Sequence, residues 1–264
     1  MEVGTIQNNK GNLFLAEFLG SLFFISAIFY TALFHGKDPL TTAAGVGIGL
    51  FIAITAFGKY TGGHFNPAVS TGYFFFIQTE KLAHAYTYFT LLAAQFLGGM
   101  AAGLLLFIVT GFDNPVLLPQ KDNILGAFID ESFFSFMFMT VIYCIKSSKH
   151  NFTQDSMLGG LTVGITLTGC VLYGGQVSGA CYNPAVGFAL NFWATMARGD
   201  TAYMKYLFMY MIAPTIGALV AGFLVRFYID SAFTPHVEPL QPKLNEPFLY
   251  RKDNKDLELQ NTKL

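Results

Sequence analysis

The sequence predicts an all-α membrane protein with six transmembrane helices and two half-helices arranged as an inverted repeat. Three observations lead there. The composition is too apolar for a water-exposed surface, six segments reach bilayer-spanning length, and one ten-residue frame recurs in the two halves of the chain.

Apolar residues make up 53% of the 264 and charged residues only 12%, with a mean hydropathy of +0.48. Soluble domains carry about 25% charged residues, so this chain lacks the groups that keep a surface wet. Its 29 Phe suit a lipid-facing surface, and its 27 Gly let helix backbones approach one another closely. A net charge of −1 gives no basis for nucleic-acid binding. Cys144, Cys170 and Cys181 lie in apolar surroundings without metal-ligand spacing, so they read as small buried apolar residues and imply no disulfide framework.

The apolar segments cover residues 13–34, 41–57, 85–110, 124–145, 157–177 and 203–229, against the roughly 20 residues that a crossing needs. The second is the shortest; its Gly45, Gly47 and Gly49 read as packing positions on a buried helix. The first is too long for a signal-peptide core and is followed by no small-residue cleavage site. The membrane domain is thus expected over residues 13–230, with repeats of about 13–111 and 124–230. Residues 1–12 form a cytoplasmic N-terminus. Residues 231–264, where Pro235, Pro239, Pro242 and Pro247 sit among polar and charged residues, read as a flexible cytoplasmic tail.

An even number of spans puts both termini on one side, and lysine and arginine choose which. With the N-terminus inside, Lys10, Lys59, Lys81, Lys146, Lys149 and Arg226 face the cytoplasm, while Lys37, Lys121, Arg198 and Lys205 face out. The cytoplasmic excess survives without the tail's basic residues, which orient a protein only weakly. The same topology puts the glycosylation sequon at Asn151 in the cytosol, where it stays unmodified.

The recurring frame is Thr61-Gly-Gly-His-Phe-Asn-Pro-Ala-Val-Ser70 and Ser178-Gly-Ala-Cys-Tyr-Asn-Pro-Ala-Val-Gly187. Glu17 in the first span and Glu131 in the fourth stand at nearly the same offset. Each half holds three spans, an odd number, so the second half lies upside down relative to the first. Inverted repeats bring matching segments together near the bilayer midplane. Asn is a favoured N-cap, and Pro at the first helical position loses nothing by lacking an N–H. Asn66-Pro67-Ala68 and Asn183-Pro184-Ala185 therefore each start a helix. The apolar stretches that follow, to about residues 76 and 193, are too short to span. Two half-helices entering from opposite faces meet N-terminus to N-terminus, each worth roughly half a positive charge, and that meeting point repels cations, hydronium included.

With these residues in view, the sequence resembles the aquaporin (major intrinsic protein) family over roughly residues 12–230. Ala16-Glu17-Phe18-Leu19-Gly20, the two repeated frames, Ala94-Gln95-Phe96-Leu97-Gly98-Gly99 and Ala213-Pro214-Thr215-Ile216-Gly217 carry the resemblance. It implies a homotetramer in a lipid bilayer with one pore per subunit and water as a permeant. A water between Asn66 and Asn183 would accept a hydrogen bond from each amide and be unable to relay a proton. The resemblance further implies that Glu17 and Glu131 are buried carboxylates hydrogen-bonded to the strained loop carbonyls that line the pore, acting as structural support. His64 would anchor its loop.

The departures from the family bear on substrate. Most aquaporins carry an Arg directly after the second Asn-Pro-Ala, where this chain has Val186. Carrying over the other constriction positions gives Val46, Val171 and Ala180, a small apolar ring without a fixed cation. The ring resembles the plant tonoplast-intrinsic branch at Ala180 and Val186, though it lacks that branch's frequent second-helix histidine. Without Arg, selectivity by solute size weakens, and glycerol, urea, ammonia and hydrogen peroxide become candidate permeants. Gly187, where glycerol facilitators carry Asp, and the short 111–123 loop argue against a glycerol-specialised channel. Tyr210 keeps an aromatic typical of water channels, whereas Met211 fits neither pattern. Cys181 is a candidate mercurial site.

Other function classes fare worse. A coupled transporter needs an ion-binding carboxylate at the helix break, and the acids at membrane depth (Glu17, Asp130 and Glu131) fall in full spans rather than beside Asn66 or Asn183. A junction protein with a closed pore keeps the fold without flux. An enzyme is excluded by the lack of any nucleophile–base or metal constellation, and no cofactor motif appears. The sequence does not choose between the plasma membrane and an intracellular vacuolar membrane.

Overall fold

Capping residues set where most of the helices begin and end. In the computed structural model, residues 10–78, 81–111, 113, 115, 117–119, 123–147, 153 and 155–230 are described. The expected N-terminal stretch up to residue 9, the sequon at Asn151 and the tail 231–264 lie outside them. Helix α1 spans Lys10–His35. Helix α2 spans Pro39–Thr61, started by Asp38, whose carboxylate accepts from the Leu40 N–H at 3.2 Å. Hydrogen bonding from the Thr41 hydroxyl holds that carboxyl below its ordinary range. The helix stops at Gly62 (φ 86°), a left-handed position that a side chain would strain.

The first half-helix, α3, covers Pro67–Gly72 and continues as a wider π turn over Tyr73–Ile77. Helix α4 is Lys81–Val109, α5 Ile124–Lys146 and α6 Ser156–Gly174. Asn123 caps α5 through the Gly126 N–H, and Asp155 caps α6 through the Met157 and Leu158 N–H groups. The second half-helix, α7, is Pro184–Arg198, closed by left-handed Gly199. A short 3₁₀ turn at Thr201–Met204 leads into α8, Leu207–Leu224, which ends as a π turn over Val225–Ile229. Pro214 lies inside α8, a position that membrane helices tolerate.

Among the described residues, six helical segments are long and apolar enough to cross a membrane. The second is not the weak one that its apolar run suggests. At 23 residues α2 matches α5 in length, because Asp38-Pro39 starts it before the run and Lys59-Tyr60 extends it beyond. The first half-helix ends at Ile77, about where expected, while the second outruns its expected end and reaches Arg198. With 15 residues, α7 measures about 22 Å at 1.5 Å per residue, short of a hydrocarbon core of about 30 Å.

The helices pair as a two-fold repeat would have them. Helix α1 packs on α4 as α5 packs on α8, and α2 crosses α6. Each half-helix also leans on a span of the opposite half, α3 on α8 and α7 on α4. Missing side chains permit these crossings. A Cβ on Gly47 would stand 2.4 Å from the Gly164 carbonyl oxygen, and one on Gly164 would stand 2.7 Å from that of Gly47. At the other pair of crossings, Gly98 abuts the Phe18 carbonyl and Gly217 that of Ser132. Inside a bilayer, where apolar surface gains little by leaving lipid, such close backbone contact is a main source of helix association.

Substituting Gly47 by Val is expected to cost about 1–3 kcal/mol through overpacking. Gly169→Ala, whose new methyl group would meet only the edge of Tyr173 at 3.8 Å, is expected to be neutral. Thermal unfolding of both variants in detergent checks the contrast.

Candidate functional site

The two loops that lead into the half-helices carry residues in a conformation that side chains avoid. Phe65 (φ 48°) and Tyr182 (φ 49°), each directly before the capping asparagine, are left-handed, as is Ala180 (φ 55°). Such geometry costs about 1–3 kcal/mol per residue and persists only where the surroundings over-determine it. Here two buried carboxylates do so. Glu17 Oε1 accepts from the Phe65 N–H at 2.6 Å. Glu131 takes the Cys181 N–H on Oε1 and the Tyr182 N–H on Oε2, both at 2.7 Å. The aromatic rings fit notches left by glycine: Phe65 over Gly20, and Tyr182 over Gly174 with its hydroxyl donating to the Cys170 carbonyl at 3.1 Å.

Two expectations are corrected by this geometry. The carboxylates do not bond the loop carbonyls, since a carboxylate is an acceptor and a carbonyl offers it no hydrogen; they take the amides and leave the carbonyls free. Nor are the acids remote from the asparagines. Glu17 and Glu131 belong to full spans, yet each reaches the residue next to Asn66 or Asn183, because the re-entrant loops fold back to their depth.

The freed carbonyls have partners. Asn66 Nδ2 donates to the Tyr182 carbonyl at 2.8 Å and Asn183 Nδ2 to the Phe65 carbonyl at 2.9 Å. Each side-chain oxygen caps its own helix, accepting from Ala68 N–H at 2.9 Å or Ala185 N–H at 3.0 Å. The two helix starts are thus bonded reciprocally, and each amide nitrogen keeps one hydrogen beyond that bond.

Several supporting residues are polar and buried. Gln95 Nε2 donates to Glu17 at 2.6 Å and to Ser70 Oγ at 2.8 Å, and His64 Nδ1 pairs with the same Ser70 oxygen at 3.0 Å. His64 therefore ties its loop to α3. Tyr143 OH donates to the Val69 carbonyl at 3.0 Å, and Tyr210 OH donates to that of Ser178 at 2.6 Å. Sequence reasoning assigned no role to Gln95, Ser70, Ser178 or Tyr143. Ser70 and Ser178 bound the repeated frame and Gln95 sits in the Ala94–Gly99 stretch, so a polar residue amid an apolar run was the signal to read.

On one side of the paired asparagines lies a cavity of about 130 Å³. Val46 from α2, Val171 from α6, Ala180 from the second loop and Val186 from α7 all line it, together with Asn66, Asn183 and Cys181. None of the described residues that line it carries a charge. The Cys181 thiol donates to the Asn183 carbonyl at 3.1 Å. Leu117 and Leu118, from the segment between α4 and α5, also line it.

Six apolar crossings and two opposed half-helices define an integral, multi-pass membrane protein of the kind that conducts rather than catalyses. The chain belongs to the major intrinsic protein family, whose profile matches residues 5–225; members of that family are channels for water and small solutes. It is 30% identical to glycerol uptake facilitator protein-like 6 of Lactiplantibacillus plantarum, over 81% of this chain and 96% of that protein. Aquaglyceroporin-2 of Rhizophagus irregularis is 29% identical, covering 79% of this chain and 74% of its own length. Aquaporin TIP1-1 of Arabidopsis thaliana is 28% identical, covering 82% and 87%. Among solved structures, the aquaglyceroporin from Plasmodium falciparum shares the fold with a TM-score of 0.74 at 21% identity, covering 84% of this chain and 97% of that one.

Replacing Glu131 by Gln puts an NH₂ group where an N–H acceptor is needed, leaving a buried loop amide unpaired. The expected loss is about 1–3 kcal/mol, read as a lower denaturation midpoint of the detergent-solubilised protein.

Proposed function

We propose that this protein is a passive channel for water that also passes small neutral solutes (glycerol, urea, ammonia or hydrogen peroxide) and excludes protons and ions. One observation carries the reading: Asn66 and Asn183, each capping a helix start, open into the same cavity as the uncharged ring of Val46, Val171, Ala180 and Val186. Each helix start presents roughly half a positive charge, and together they oppose a cation at the point where the halves meet. The hydrogen left on each asparagine amide donates to a passing water, which is held as acceptor from both sides and cannot relay a proton.

The ring explains the breadth of permeants. A charged donor contributes about 1.5–3 kcal/mol per hydrogen bond, and Val186 offers none. A water crossing the ring keeps more of its own hydration, and a solute with apolar faces meets apolar walls. The names of the relatives, a glycerol facilitator, an aquaglyceroporin and a tonoplast-type aquaporin, support a range of this kind. A second reading, a glycerol or urea facilitator with little water flux, is favoured by the uncharged ring and by the glycerol facilitator among the relatives. Gly187 and the short α4–α5 connection weigh against it.

The working unit in this reading is a homotetramer in the bilayer with one pore per subunit and no cofactor. Both termini face the cytoplasm, following the lysine and arginine bias.

Stopped-flow light scattering on proteoliposomes tests the proposal. Osmotic shrinkage faster than that of empty liposomes, without dependence on sodium or proton gradients, supports it; permeability equal to that of empty liposomes refutes it. Water flux near background with fast glycerol uptake would select the second reading. The variant Val186→Arg is expected to lower glycerol and urea uptake while sparing water, and unchanged solute uptake would remove Val186 from the constriction. Mercurials are expected to block water flux through Cys181, so Cys181→Ser should abolish the block.

A further inference from the structure

Beside the second loop, the fold gathers two carboxyl groups on one hydroxyl. Ser178 Oγ lies 2.6 Å from Asp130 Oδ2 and 2.7 Å from Glu131 Oε1, and it accepts the Ala180 N–H at 3.0 Å. A serine hydroxyl has a single hydrogen to donate. It can satisfy one carboxylate, and the other short contact requires a proton on the carboxyl itself. Glu131 also accepts the Cys181 and Tyr182 amides, and hydrogen bonds of that kind favour a carboxylate anion. Asp130, one residue earlier in the second turn of α5, is half-buried and is bonded here by Ser178.

We infer that Asp130 carries a proton and acts as a positioning residue for the cavity wall. Asp130 Oδ2–H donates to Ser178 Oγ, and Ser178 Oγ–H donates to Glu131 Oε1. Ser178 in turn holds the loop that supplies Ala180 and Cys181 to the wall, through its Oγ to the Ala180 amide and through its carbonyl to Tyr210. Ionisation of Asp130 sets two anions against one hydroxyl in a poorly solvated place. Among the described residues, the titratable groups facing the pair are Cys181 and Tyr182 of the loop and Tyr210 of α8, with Cys170 of α6 and Tyr206 beside those two tyrosines. None of these is a base that could neutralise a second anion. Raising the pH therefore repels Asp130 from Ser178 and loosens the left-handed turn at Ala180, widening the ring.

The effect on transport rests on the channel reading above, whereas the proton on Asp130 does not, and two measurements separate them. Infrared difference spectroscopy of the full chain in lipid is expected to show a protonated-carboxyl band that disappears as the pH is raised and that is absent from Asp130→Asn. In proteoliposomes, the ratio of glycerol to water permeability is expected to rise by about fivefold over the same pH interval, at the lower end of typical site-to-site coupling. Asp130→Asn, whose amide still donates to Ser178, is expected to stay at the acidic value at every pH. A band that does not titrate, or that persists in Asp130→Asn, overturns the protonation. A titrating band with a flat permeability ratio, or a pH profile retained in Asp130→Asn, overturns the positioning role. Absence of water flux at every pH in both proteins would sink the channel reading and the positioning role with it, while the band still reports on the proton.

Discussion

Each asparagine of the pair completes the loop that leads into the other's helix. Asn66 bonds the Tyr182 carbonyl and Asn183 the Phe65 carbonyl, and both acceptor residues are left-handed. A peptide turned that way points its N–H toward one side and its carbonyl toward the other. The N–H meets a buried carboxylate, and the carbonyl meets the opposite asparagine. The strain at Phe65 and Tyr182 is offset only when both contacts exist at once. One half of the chain thus cannot complete its own loop, and the two halves are joined at the point where their helix starts oppose each other.

The halves share this link but anchor it differently. Around Glu17, Gln95 and Ser70 supply neutral hydrogen bonds that reach His64. Around Glu131, the position matching Ser70 is Gly187 and the α8 stretch matching Gln95 presents Pro214. There the carboxylate instead takes a second backbone amide and a serine that also touches Asp130. The first loop is tied by the Glu17 carboxylate, by neutral Gln95 and Ser70, by His64, and by the Lys146 ammonium, which donates to the Gly62 carbonyl. The second, which forms part of the cavity wall, is tied by the Glu131 carboxylate and by a serine shared with Asp130. An inverted repeat has in this way kept its geometry while its two anchors diverged.

The outer surface answers to a different constraint. Large apolar side chains such as Phe89, Leu125, Ile165 and Phe208 stand exposed on the spans, where lipid is their solvent, and burying them would gain little. Glycines mark the crossings at Gly47 with Gly164, and at Gly98 and Gly217. Close backbone contact at these glycines, together with a buried core that includes Phe24, Phe29, Phe138 and Met139, brings the spans near enough for Glu17 and Glu131 to reach the loops.

Much of this was legible in the order of the residues. Apolar run length alone determines six crossings, since a bilayer requires it. The duplicated Asn-Pro-Ala determines the two half-helices and their inversion, because capping is local and an odd number of spans reverses direction. Val46, Val171, Ala180 and Val186 line one cavity. What only the tertiary structure decided are the contacts between residues far apart in the chain. Glu17 on Phe65, Glu131 on Tyr182, each asparagine on the opposite carbonyl, and Ser178 between two acids all depend on re-entrant loops returning to the depth of spans formed elsewhere in sequence. A hydrogen bond needs direction as well as proximity, and the left-handed turns that aim those amides and carbonyls at Phe65 and Tyr182 leave no mark in residue type.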